Sequence, residues 1–191
     1  MTAADPAARY RALLDLACRL EEEGVSSPAT RELLRRPAAD LSPADVTRLS
    51  RSVIRETGAE PAFALDPALW TTLEQALELV ERDLRASGVD GPLRLVVHGW
   101  SGRDEAWVEF RGGSQGNGIP PAEGGDARRA AAAVAEAAQE AVMETTWRAW
   151  PVCPAHDLGL HVGQERGVPV WRCSGDGAHT VAPIGALPGP E

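Results

Sequence analysis

Cysteine and histidine residues concentrate in the C-terminal part of the sequence. Two of the three cysteines and three of the four histidines lie beyond residue 150, as Cys153, His156, His161, Cys173 and His179. Two residues separate Cys153 from His156, sixteen separate His156 from Cys173, and five separate Cys173 from His179. Nitrogen and sulfur ligands that are paired in sequence, with a longer connection between the pairs, are typical of tetrahedral zinc sites. The spacing therefore predicts a structural zinc site formed by Cys153, His156, Cys173 and His179.

The same residues leave three alternatives open. His161 can replace His179 as the fourth ligand. The tail can also fold without metal around Trp171 and a hairpin, since residues 168–172 and 180–184 have the composition of short strands around a Gly-rich turn. A catalytic Cys153–His156 pair is the third alternative, but the sequence offers no group to orient the histidine.

The tail also resembles a known group of sequences. The run Trp-Pro-Val-Cys-Pro-Ala-His at 150–156, the Trp-Arg-Cys element at 171–173 and Val-Ala-Pro-Ile-Gly at 181–185 are similar to the tail of an uncharacterised family of high-GC bacterial proteins. The resemblance covers about residues 140–187 and none of residues 1–65. It implies a zinc-ribbon-like tail, and it implies no particular activity.

Four helix starts share one pattern, a capping side chain followed by proline. They are Asp5-Pro6, Ser27-Pro28, Ser42-Pro43 and Asp66-Pro67. The cap oxygen accepts a hydrogen bond from an otherwise unpaired amide, and proline has no N–H to leave unpaired at the first helical position. With helical spacing of the apolar residues, these starts predict three helices within residues 5–57 and a fourth over 66–87.

The apolar spacing then changes to that of strands. Residues 93–100 and 105–110 are rich in β-branched and aromatic side chains, and the turn at 101–104 joins them. Two strands alone are marginally stable, so we expect a helix to cover one face. One candidate is the 66–87 helix, and the other runs from Asp126 to about Trp150. We expect Trp147 and Trp150, at the end of the latter, to pack between this region and the tail.

Together these elements predict an α+β fold. It comprises an N-terminal three-helix unit, a helix–β-hairpin–helix region and a small zinc-ribbon-like β module. The predicted domains span residues 1–60, 66–150 and 151–187, with a linker near residues 58–64 whose Gly and Pro content is typical of a domain boundary.

Charge and hydropathy restrict the partners. The net charge is −9, and all 19 cationic side chains are arginine. Carboxylates accompany these arginines almost everywhere, whereas binding to nucleic-acid backbone needs a cationic face, so we expect no general nucleic-acid binding. No apolar run reaches the roughly 18 residues that a bilayer span needs, so no membrane partner is expected. Residues 1–6 have neither a basic leader nor an apolar signal core, so we expect a cytoplasmic protein. That location would keep Cys18, predicted to be buried, and the tail cysteines reduced.

These features favour a non-enzymatic binding or adaptor protein, with another protein as its partner. A hydrolase or transferase that uses His98 and the Gly-rich loop at 111–125 is the first alternative. That loop lacks the lysine and Ser/Thr ending of a phosphate-binding P-loop. A nucleic-acid-binding zinc-ribbon protein is the second alternative, although the tail holds only Arg166 and Arg172 against four carboxylates.

Overall fold

A computed structural model of the chain describes residues 6–99 and 104–189. These ranges contain five α-helices and two three-stranded antiparallel sheets, so the fold is α+β as predicted. The helices are α1 (Pro6–Glu22), α2 (Pro28–Arg35), α3 (Pro43–Thr57), α4 (Pro67–Ala86) and α5 (Ala127–Thr146). The strands are β1 (Leu93–Val97), β2 (Ala106–Phe110), β3 (Gly113–Ser114), β4 (His161–Glu165), β5 (Val168–Cys173) and β6 (His179–Pro183). None of the helices in the described ranges has the length and apolar character needed to cross a bilayer.

The chain forms two compact units, Met1–Ala68 and Leu69–Glu191. The tail therefore belongs to the same compact unit as the hairpin and α5. That the tail forms a third domain over residues 151–187 stays a prediction.

Capping side chains define the helices of the first unit. The Ser27 side chain accepts from the Thr30 amide at the start of α2. At the start of α3, Ser42 and Asp45 cap each other's amides in a reciprocal capping box. Helix α3 is terminated by Gly58, whose φ of 72° lies in the left-handed region that glycine adopts without strain. The capping predicted at Ser27 and Ser42 is thus confirmed, and the Asp5 cap lies outside the described residues.

One apolar cluster fills the centre of the first unit. It contains Leu13, Leu16, Ala17, Leu20, Ala29, Leu33, Val46, Leu49, Val53 and Leu65. Because Leu65 belongs to it and Ala62 packs against it, part of the segment after α3 folds onto the helices. The expectation of a buried thiol at Cys18 is wrong. This residue is exposed, because Leu16, Ala17 and Leu20 already form the inward face of α1.

In the second unit, α5 contacts both sheets through β2, β3, β4 and β5. Its predicted narrow face is confirmed, since Ala130, Ala131, Val134, Ala138, Ala141 and Val142 are all buried. Alanine and valine at these positions allow the strands to approach the helix axis closely. The first sheet has the order β1–β2–β3, and residues 101–103 of the predicted turn between β1 and β2 lie outside the described residues.

The second sheet has the order β4–β5–β6 and carries the tail. Strands β5 and β6 were predicted, whereas β4 and the short strand β3 were not. Helix α5 is also shorter than predicted and ends at Thr146, because Trp147 adopts the left-handed conformation (φ 56°) that terminates a helix.

Candidate metal centre

A closed loop before β4 presents Cys153 and His156. The Cys153 amide donates to the Leu158 carbonyl at 2.8 Å, and the Asp157 amide donates back to the Cys153 carbonyl at 2.9 Å. The Leu160 amide closes the loop on the Pro151 carbonyl at 2.8 Å. These bonds fold the backbone between the two side chains into a tight turn, so the thiol and the imidazole reach the same point.

The second pair of side chains comes from one hairpin. Cys173 is the last residue of β5 and His179 is the first of β6, and the two are partners in the antiparallel register. Because paired residues of two antiparallel strands lie about 5 Å apart, this register places the two side chains next to each other. The hairpin turn between them includes Gly175, which also contacts the first pair, as described below.

The four side chains converge around a space that is large enough for one metal ion. One ligand atom from each of Cys153, His156, Cys173 and His179 lies within 4.8 Å of the other three. The Cys153 Sγ atom is 3.8 Å from His156 Nδ1 and 3.7 Å from His179 Nε2, and His156 Nδ1 is 3.4 Å from Cys173 Sγ. A zinc tetrahedron with bonds of about 2.3 Å to sulfur and about 2.0–2.1 Å to nitrogen has edges of about 3.4–3.8 Å. The predicted residues are therefore positioned to hold a metal ion.

Hydrogen bonding favours the thiolate of Cys153, whereas burial opposes it. The thiols of Cys153 and Cys173 are 1% and 0% exposed, and the two imidazoles are half-buried. Burial alone raises the pKa of Cys153, but the amides of Ala155 and His156 and the Cys173 side chain outweigh it and hold this pKa below its ordinary value. The Gly175 amide donates to Cys173 Sγ at 3.3 Å. Amide donors around sulfur stabilise the negative charge that a metal-bound cysteine carries.

His161 occupies a different position. It lies exposed on β4, where its Nδ1 atom is 3.4 Å from the Ser174 hydroxyl. Within the described part of the chain, only the four residues above form a cluster of three or more side chains able to hold a metal, and His161 is not among them.

Buried polar contacts fix the sheet that carries Cys173. Asp83 of α4 is fully buried, and its carboxylate accepts from the Trp171 indole at 2.7 Å and from the amides of Gly185 and Leu187 at 2.6 and 2.9 Å. These three bonds join α4 to β5 and to the segment after β6. Sequence reasoning missed Asp83, although its position between Val80 and Leu84, on the apolar stripe of α4, was a signal that this carboxylate is buried.

Trp150 fixes the loop that carries Cys153. Its indole is 3% exposed, packs edge-on against Trp171 at 5.7 Å between ring centroids, and donates to the Ser87 hydroxyl at 2.7 Å. The Gln139 amide of α5 donates to the carbonyls of Trp150 and Leu160, on either side of the loop. The expected packing of Trp150 between the 66–150 region and the tail is confirmed, because its indole contacts Ser87 after α4 and Trp171 of β5. The same expectation for Trp147 is wrong, since that side chain is 86% exposed.

The residues of the predicted enzyme alternative lie in the first sheet and the loop after it. His98 follows β1 and packs edge-on against Trp107 of β2. The Gly-rich loop is attached to α5, because Glu140 accepts from the Asn117 amide and Glu123 forms a two-bond ion pair with Arg129. Comparison of the chain with protein-family profiles, curated protein sequences and solved structures returns no match.

Proposed function

We propose that this chain is a non-enzymatic binding or adaptor protein whose second unit is stabilised by a structural zinc ion. The observation that carries the proposal is the convergence of four ligand atoms, two from buried cysteines and two from half-buried histidines, on one point. A catalytic zinc site keeps a coordination position open for water or substrate, whereas four protein ligands close the tetrahedron. The arrangement therefore suits folding rather than catalysis.

The chemistry of the ligands supports zinc over other divalent ions. Two thiolates and two imidazoles are a common ligand set for structural zinc, whereas Mg²⁺ and Ca²⁺ prefer oxygen ligands. Two thiolates also neutralise the double charge of the ion, so the complex can remain buried at low cost.

An exposed tryptophan supports the binding role. Trp147 is 86% exposed, and Met143, one helical turn earlier, is 39% exposed. Tryptophan is enriched among the residues that dominate the energy of protein interfaces, and so large an indole is seldom left in water. We infer that the end of α5 contributes to contact with a protein partner.

Metal analysis tests the zinc site. Protein purified under reducing conditions is expected to contain about one zinc per chain. Cys173→Ser is expected to lose the metal, whereas Cys18→Ser, a matched change at an exposed cysteine of the first unit, should retain it. Absence of stoichiometric metal from protein never exposed to chelator would contradict the proposal.

Cobalt substitution separates a structural site from a catalytic one. Co²⁺ in place of zinc should give the visible absorption of a tetrahedral site with sulfur ligands, and added cyanide or azide should leave the spectrum unchanged, because no coordination position is open. A spectrum that changes saturably with either anion would indicate an open position and favour the enzyme alternative.

Photocrosslinking tests the adaptor role. When the protein is produced in the cells it comes from, a photoreactive phenylalanine analogue at position 147 is expected to crosslink it to one discrete partner protein. The same residue at position 82, an exposed arginine on α4, serves as the control. Equal adducts at both positions, or none at 147, would count against a partner at the end of α5.

A further inference from the structure

A cavity of about 680 Å³ lies in the second unit, and its lining includes Val152 and Pro154, the sequence neighbours of Cys153. Its wall combines the end of α4 with residues 88–90, the end of α5 with residues 148–152, and residues 187–189. We name it the Trp150 cavity after the buried indole in its wall. The volume falls within the range of about 300–1,000 Å³ that is typical of small-molecule sites.

The wall around Trp150 is held in place by hydrogen bonds. The Trp150 indole donates to the Ser87 hydroxyl, which in turn lies 2.9 Å from each of the carbonyls of Asp83 and Leu84. Gln139 holds the Trp150 carbonyl from the other side. A wall fixed in this way is preformed, so a ligand would not have to order it on binding.

Three carbonyls at or near the α4 end of the cavity already have donors. The Arg85 carbonyl accepts from the Gly88 amide, and the Leu84 carbonyl accepts from the Val89 amide. The Asp90 carbonyl accepts two bonds from the Arg111 guanidinium, at 2.6 and 3.2 Å. Of these three acceptor residues only Asp90 belongs to the lining, and its carbonyl is already occupied.

The lining also includes donors that carry positive charge. Arg148 lines the cavity, and within the described part of the chain the structure gives it no hydrogen-bond or ion-pair partner. Arg111 lies over the Phe110 ring, and among the described residues its Nη1 group has no hydrogen-bond partner. Asp90 is the single carboxylate in the lining, so the lining carries a formal charge of about +1 on a chain of −9.

We propose that the Trp150 cavity binds a small organic anion, a carboxylate or a phosphate monoester with an apolar body. The guanidinium of Arg148 pairs with the anionic group, because a planar fork of N–H donors matches the oxygen atoms of both anions. The body of the ligand lies against Val152, Pro151 and Leu187, which supply the apolar part of the wall. This site is separate from the four metal ligands.

The test uses the full metal-loaded chain and three probes with one ring system, 2-naphthoate, 2-naphthyl phosphate and the neutral 2-naphthol. NMR titration is expected to show saturable shifts of the Val89, Thr146 and Val152 amides with at least one of the anions. The neutral probe should bind about tenfold more weakly, equivalent to about 1.4 kcal/mol. The tighter of the two anions identifies the headgroup.

Arginine variants test the role of charge. Arg148→Ala should weaken anion binding about tenfold, and Arg148→Lys should weaken it less. Arg82→Ala removes the same charge elsewhere on the second unit and should have no effect on binding. The proposal is overturned if neither anion saturates, if 2-naphthol binds as tightly as the anions, or if Arg82→Ala weakens binding as much as Arg148→Ala does.

Discussion

At the level of single residues, the candidate metal centre includes a glycine that is not itself one of the four possible ligands. A Cβ atom at Gly175 would lie 2.8 Å from His156 Nδ1 and 2.9 Å from its Cγ. Contacts this short require movement, and His156 Nδ1 lies only 3.4 Å from Cys173 Sγ. The backbone of Gly175 also donates to that sulfur. Residue 175 therefore sets the position of one ligand and the hydrogen bonding of another.

Gly175→Ala is accordingly expected to weaken metal binding while the chain stays folded. Displacing one imidazole should lower the affinity for the metal about 10- to 100-fold, the range found when a residue that positions a metal ligand is changed. The measurement is competition with a chromophoric chelator. Gly125→Ala is the matched control, since a Cβ there meets nothing within 4 Å. Equal affinities in the two variants would show that Gly175 does not set the position of His156 in the site.

At the level of elements, Asp83 joins α4 to β5 and to the segment after β6. Its carboxylate is fully buried and accepts three hydrogen bonds, from Trp171, Gly185 and Leu187. A carboxylate offers enough lone pairs for all three donors, whereas an asparagine of the same shape replaces one oxygen with an NH₂ group that faces a donor. The negative charge is thus part of the packing of this region.

Asp83→Asn is expected to lower the free energy of unfolding of the second unit by about 3 kcal/mol, since a buried donor loses its partner and a charged acceptor is lost. Chemical denaturation followed by tryptophan fluorescence measures this change. Glu78→Gln, at an exposed position of α4, should change it by less than about 0.5 kcal/mol. Similar values for the two variants would refute a structural role for the Asp83 carboxylate.

The capping box of α3 predicts a pH dependence in the first unit. Hydrogen bonds from the Ser42 hydroxyl and the Ser42 amide lower the pKa of Asp45 from 3.8 to about 2. Because the folded-state pKa lies below the ordinary value, the stabilising effect of the carboxylate is fully present above about pH 4 and is lost as the pH falls through about 2.

Asp45→Asn should therefore remove part of the acid sensitivity of α3. NMR intensities of the α3 amides, followed from about pH 5 to about pH 2, should fall less steeply in this variant than in the parent chain. Asp40→Asn, at a nearby exposed carboxylate, is the control. An acid profile of Asp45→Asn that matches the parent would exclude the capping carboxylate as its cause.

The residues that sequence predicted correctly act over short distances. Ser27, Ser42 and Gly58 determine where helices begin and end through contacts within a few residues, so the helical bounds were accessible from local patterns. The Cys/His spacing predicted the four residues that converge, because two of them share one tight loop and the other two share one hairpin.

The features that sequence missed depend on distant parts of the chain. Strand β4 contains His161, Gly163 and Gln164 in place of a clear apolar alternation, and it is a strand because it pairs with β5 along its full length. Trp147 and Trp150 look equivalent in the sequence. Only Trp150 meets Ser87 and Trp171, because the left-handed backbone at Trp147 ends the helix and changes the direction of the chain. Such pairings of residues far apart cannot be derived from local pattern.

At the level of the whole molecule, the two compact units contain different features that can stabilise them. The first has a continuous apolar core supplied by three helices and the segment that follows them. The second includes the tail, where a single three-stranded sheet and a loop without regular structure surround the four ligands. A tail this small has little core of its own, and in such modules the free energy of metal binding contributes directly to folding.

Removal of the metal from the intact chain is therefore expected to affect the two units unequally. Hydrogen exchange with mass spectrometry, with and without a zinc chelator, should show loss of protection over residues 151–183, because the loop and the hairpin lose their common attachment. Peptides from residues 6–57 should exchange at unchanged rates, since no ligand lies in the first unit. Residues 127–142 of α5 should keep most of their protection, because their buried alanine face also packs on β2. Added zinc should restore the original pattern. Loss of protection in the first unit, or unchanged protection in the tail, would show that the metal does not stabilise the tail specifically.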